Sequence, residues 1–67
     1  MLTMMPTEFF ESFNAAIARP ENRHEDGSIN WDFVDADMWN DQVINNSNMR
    51  IAYTWFNELA DDYERTI

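Results

Sequence analysis

Asp35, Asp37 and Asp41 lie within the run Asp-Ala-Asp-Met-Trp-Asn-Asp, a density of oxygen donors that suggests a hard cation such as calcium. The calcium-loop template is not met. Its sixth position, which needs glycine for the sharp turn, is Asn40, and its twelfth, which needs a bidentate glutamate, is Asn46. Trp39 also stands in the middle of the run, so a solvated acidic helix is the better reading and no metal is assigned. Zinc fares no better, because the chain has no cysteine and one histidine. Catalysis has no constellation to rest on. His24 lies in a polar loop beside Glu25 and Asp26, and Gly27 is the sole glycine, so neither a Ser-His-Asp triad nor a phosphate loop can be nominated. Pairs of carboxylates at general acid–base spacing are inevitable among 13 acids and carry no information. The expectation is a protein that is not an enzyme and uses no cofactor.

What remains is the distribution of charge. The chain carries 13 acids, four arginines and no lysine, for a net charge of −9. From Glu25 to Glu64 the acids are Glu25, Asp26, Asp32, Asp35, Asp37, Asp41, Glu58, Asp61, Asp62 and Glu64, against Arg50 alone. That stretch holds the whole net charge. Such a surface repels a phosphate backbone and an anionic membrane alike. It suits a cationic protein groove instead, because carboxylates one helical turn apart lie about 6 Å apart along the axis, comparable with phosphates on one strand of DNA. The candidate partner-binding carboxylates are Asp35, Asp37, Asp41, Glu58, Asp61, Asp62 and Glu64. The bland alternative is a solvated face that keeps a small protein soluble.

The elements that must position these groups follow from periodicity. Phe9, Phe13, Ala16 and Ile17, with Phe10 alongside, form an amphipathic stripe on a helix over about 6–19. Pro6 suits its first position and Pro20 forbids its continuation. Met49, Ala52, Tyr53, Phe56, Leu59, Ala60 and Tyr63 form a second stripe on a helix over about 48–65. Ile51, Trp55, Glu58 and Asp62 mark another face of that helix. Trp55 is there either an interface anchor rimmed by charge or a residue covered by the middle segment. Residues 20–28 read as a polar loop ending in Asp-Gly-Ser turn chemistry.

The stretch 29–44 has no single coherent face. Its apolar residues scatter around the wheel, which predicts one turn of helix capped by Asn30, then a short helix from Ala36 to Gln42 capped by Asp35. The alternation of Ile29, Trp31 and Phe33 leaves a short strand as the alternative. The fold class is therefore all-α: one small domain over 1–67, with two amphipathic helices and an irregular, partly helical middle. At 67 residues, with no disulfide staple, a partner or a second copy is expected to help stabilise it, so a homodimer is among the expected partners. Met1-Leu2-Thr3-Met4-Met5 shows neither a cationic leader nor a long apolar run, so a cytoplasmic protein is expected. Asn45-Asn46-Ser47 matches a glycosylation acceptor by chance.

In length, acidity and absence of lysine the chain is similar to small phage-encoded inhibitors, among them anti-restriction and anti-CRISPR DNA mimics. The likeness is one of kind and composition. No motif matches a particular family, and no residue roles are carried over. The leading expectation is a DNA-mimic inhibitor that occupies the cationic nucleic-acid site of a basic partner protein, without contacting nucleic acid itself. The competing expectation is a structural or adaptor subunit that binds through an apolar helix face, its acidity serving solubility. A weaker third is an antitoxin or transcriptional modulator that masks a basic partner.

Overall fold

The computed structural model describes residues 5–46 and 48–66, so the leader reading of residues 1–4 and the serine of the glycosylation triplet lie outside it. Three helices, α1 (Thr7–Ala18), α2 (Trp31–Asn40) and α3 (Met49–Thr66), make an all-α domain with no strand among the described residues. Pro6 stands just before α1 rather than in its first turn. Its carbonyl accepts from the amides of Phe9 and Phe10 at 3.1 and 3.3 Å, and its own missing N–H costs nothing there. Pro20 ends the helix from beyond it: Arg19 is forced to an extended ψ of 127°, because the proline ring excludes helical geometry from the preceding residue.

The chain then makes a short 3-10 turn (Pro20–Asn22) and a tight loop. Asp26 Oδ1 accepts from the amide and the hydroxyl of Ser28 at 2.9 and 2.6 Å, and Gly27 between them takes φ 88°, a conformation open to glycine. Beyond the loop, the predicted split of the middle segment is corrected. One continuous helix runs from Trp31 to Asn40, capped by Asn30, whose Oδ1 accepts from the Phe33 amide. Asp35 caps nothing and lies in the second turn. Ile29 pairs with Arg23 in a single antiparallel bridge, and no strand forms.

The scatter on the wheel came from counting residues that do not share the helix's buried side. Val34 and Met38 are buried, while Phe33 points out at 53% exposure. Val43 and Ile44 are not on the helix at all. The helix closes when Gln42 adopts φ 65°, with the Val43 amide bonded to the Met38 carbonyl and the Gln42 amide to that of Trp39. Those are the two bonds of a Schellman ending, with glutamine holding the left-handed position that glycine usually takes. The reversal turns Ile44 into the core.

Asn48 caps α3, its Oδ1 accepting from the amides of Arg50 and Ile51. The buried side of α3 is Ala52, Trp55 and Phe56, flanked by Ile51, Tyr53, Leu59 and Tyr63. Met49, placed on the stripe by spacing, is exposed. The core is a run of rings: Phe9 meets Trp55 edge-on at 5.3 Å, and Phe13 lies between Trp31 and Phe56 at 6.0 and 5.9 Å. Pairs of this kind contribute about 0.5–1.5 kcal/mol each beyond area burial. They also set the spacing of the layers, since α1 and α2 approach closely while α3 is held off by its large side chains.

Candidate functional site

The acidic residues fall into two groups that the sequence does not separate. Asp35, Asp37 and Asp41, on and just after α2, are tethers, whereas Asp32 in its first turn is exposed. Asp35 Oδ1 accepts from the Tyr53 hydroxyl at 2.9 Å, and that hydroxyl accepts from Trp39 Nε1 at 2.8 Å, which ties α2 to α3. Asp37 Oδ2 accepts from the buried Asn22 amide at 2.6 Å and pairs with Arg19 at 2.7 Å. Asp41 Oδ2 accepts from the Ser12 hydroxyl at 2.7 Å, joining the end of α2 to α1. The three carboxylates thus diverge toward three partners rather than converging on one point.

The second group is on the last turns of α3. Glu58 and Asp61 are exposed and have no ion pair among the described residues. Asp62 makes an exposed pair with Arg65 at 3.3 Å, worth little in water. Glu64 accepts from Trp31 Nε1 at 3.1 Å. Trp55 does not belong with them. At 5% exposure, with its ring edge-on to Phe9 of α1, it is a core residue with little surface for a partner.

The arginines sharpen the imbalance. Arg23 turns inward, donating to the carbonyls of Ile17 and Gly27 and to the Tyr63 hydroxyl at 3.0, 3.1 and 3.0 Å. Its guanidinium also sits 5.9 Å from the Tyr63 ring centre. Arg19 is engaged by Asp37 and Arg65 by Asp62. Arg50 is exposed in the first turn of α3, about 12 Å along the axis from Glu58.

Sequence reasoning missed Asn22, Ser12 and Arg23, which organise the site from inside. Ser12 lies between Phe9 and Phe13 on the α1 stripe, a position that signals burial; nothing local marks Asn22. Its amide also donates to the Ala16 carbonyl at 2.9 Å, satisfying the end of α1.

This network perturbs two titrations. The Asn22 amide, and then Arg19, hold the Asp37 carboxyl below its ordinary range. Burial, and then the neighbouring Asp35, push the Tyr53 hydroxyl above its ordinary value. A depressed carboxyl stabilises the fold above its unfolded pKa near 4 and loses that contribution as pH falls through the folded value. Asp37→Ala should therefore cost about 1–3 kcal/mol in urea unfolding at neutral pH. The gap from the parent should narrow below about pH 4, as the parent itself takes up the proton. A gap constant with pH would mean that Asp37 acts through packing alone.

Between α1 and α3 runs an open groove of about 310 Å³. Its floor is Phe13 and Tyr63, its α1 wall Phe10, Asn14 and Ile17, and its α3 wall Leu59, Asp62 and Thr66. Phe10 is 47% exposed there. Among the described residues no helix is long and apolar enough to cross a membrane. Comparison with protein-family models, curated proteins and solved structures finds no match to this chain.

Proposed function

We propose that this chain is an acidic binding protein that occupies the cationic nucleic-acid-binding site of a partner, its carboxylates standing where phosphates would. The observation that carries the reading is the uncompensated charge on the last turns of α3. Glu58 and Asp61 face solvent without an ion pair among the described residues; Arg19 and Arg23 are engaged elsewhere, and Arg65, on the same turns, makes an exposed pair with Asp62 alone. Asp61 and Asp62 stand three and four residues beyond Glu58, about 4.5 and 6 Å along the axis, separations comparable with phosphates on one strand of DNA. Inhibition follows by exclusion, because a groove filled with carboxylates is closed to phosphates. Inhibitors of host CRISPR or restriction enzymes, acting in the cytoplasm of a phage-infected cell, are the class this chemistry fits. Trp55, nominated as a partner contact for either reading, is buried and offers little surface to either.

The test is retention of basic proteins from a nuclease-treated lysate on the immobilised chain. Bound proteins should be released by duplex or single-stranded nucleic acid, and retention should fall steeply between about 50 and 500 mM salt, where the Debye length shrinks from about 14 to 4 Å. Retention that is flat with salt and indifferent to nucleic acid would overturn the reading.

A further inference from the structure

We propose that the groove between α1 and α3 seats one amphipathic helix of the partner, apolar side down, with lysine or arginine along the flank that meets α3. This rests on the reading of the chain as a binder of basic proteins, and it names the element that is bound.

Phe10 is the first observation. Phe9, Phe13 and Phe56 each pack against another ring, whereas Phe10 stands nearly half exposed at the groove's edge with no ring contact among the described residues. With Ile17 and Leu59 it makes an apolar trough, floored by Phe13 and Tyr63. The α3 wall from Leu59 to Thr66 runs about 11 Å along its axis, the length of two turns of a helix lying beside it. Apolar positions spaced three and four apart on a visiting helix match such a trough.

Charge selects the visitor. The two walls differ: of the residues that line the groove, α1 contributes the neutral Asn14 and α3 contributes Asp62, with the exposed Glu58 one turn before Asp62 and outside the lining. The complement is therefore an apolar stripe with cations on one flank, which Arg65 does not block because its pair with Asp62 is exposed and weak. A second copy of this chain is a poor occupant. It brings another −9 and has no lysine to set against Asp62 and Glu58.

The experiment uses the full chain and two leucine–lysine peptides of about 14 residues and identical composition. One is ordered to form an amphipathic helix; the other is scrambled so that leucine and lysine share every face. In backbone NMR titrations the amphipathic peptide should move the signals of Phe10, Asn14, Ile17 and Leu59. Its affinity should exceed that of the scrambled isomer by about tenfold or more. Phe10→Ser should reduce that affinity by about tenfold and leave the thermal transition in place, because the ring is half exposed. Equal binding of the two peptides, perturbations centred on α2, an unaffected Phe10→Ser variant, or a concentration-dependent dimer through the same residues would each overturn the groove. Equal binding that salt abolishes would leave the acidic-mimic reading standing, whereas binding of neither peptide would count against both.

Discussion

Phe13→Ala is expected to remove about a third or more of the fold's stability and to lower its thermal midpoint steeply. The ring is 2% exposed and lies between Trp31 and Phe56, so its loss removes two aromatic pairs and opens a cavity where α1, α2 and α3 meet. Truncations of this kind cost about 3–5 kcal/mol. A domain of this length has a total stability of about 3–10 kcal/mol, so about a third or more of it is lost. Phe56→Ala should act alike, since that ring touches Phe13, Trp31 and Tyr53. Phe33→Ala is the control. The residue is equally aromatic but projects from α2 into solvent, and its loss should stay within about 0.5 kcal/mol. Thermal unfolding followed by circular dichroism checks all three. A Phe13→Ala variant melting cooperatively near the parent midpoint would place the core elsewhere.

Neutralising Glu58, Asp61 and Asp62 together, as Glu58→Gln, Asp61→Asn and Asp62→Asn, should lower partner affinity by well over tenfold without unfolding the chain. Three lost contacts of about 0.5–1 kcal/mol each already exceed a factor of ten. Stability should hold or rise. The acids crowd the C-terminal turns of α3, where the helix dipole disfavours negative charge, and the Asp62–Arg65 pair given up is exposed. The matching triple change on Asp35, Asp37 and Asp41 should behave in the opposite manner, with stability falling first. Those carboxylates accept hydrogen bonds from Tyr53, Asn22 and Ser12, and an amide cannot replace an ionised acceptor of the same strength. Isothermal titration with the captured partner, beside thermal unfolding, reads both variants. An α3 variant that binds as tightly as the parent would make its acids a solvated face, and the adaptor reading would take precedence.

The outer helices were legible because each has a clean apolar stripe and side-chain or proline punctuation at its ends. The middle was not, for a reason particular to its residues. Phe33 is apolar yet exposed, and Val43 and Ile44 belong to the reversal after the helix, so the wheel mixed three environments. Trp55, left with two readings by its spacing, illustrates a different limit. The α3 stripe was centred by counting Met49, which is exposed, and turning the buried face toward Trp55 brings the indole onto Phe9. The acids of α3 could be read as exposed because Leu59, Ala60 and Tyr63, the apolar residues among them, fall on the opposite side of the helix. The acids of α2 had the same local appearance, and their roles depend on Asn22, Ser12 and Tyr53, groups that only the tertiary fold brings near.

The close approach of α1 to α2, with α3 attached through its rings, bears on how the chain reaches this state. The tightest backbone packing joins elements that are neighbours in sequence, linked by the short turn and loop between them. Closing so short a segment forfeits little chain entropy, and topologies dominated by such local pairings lie at the rapid end of the folding range, in microseconds to milliseconds. The final helix enters by inserting large rings, a step that gains nothing until the side chains interdigitate. Changes at Phe9, Phe13 or Trp55 should thus register mainly as faster escape from the native basin rather than slower arrival, to the extent that ring packing completes after the backbone has met.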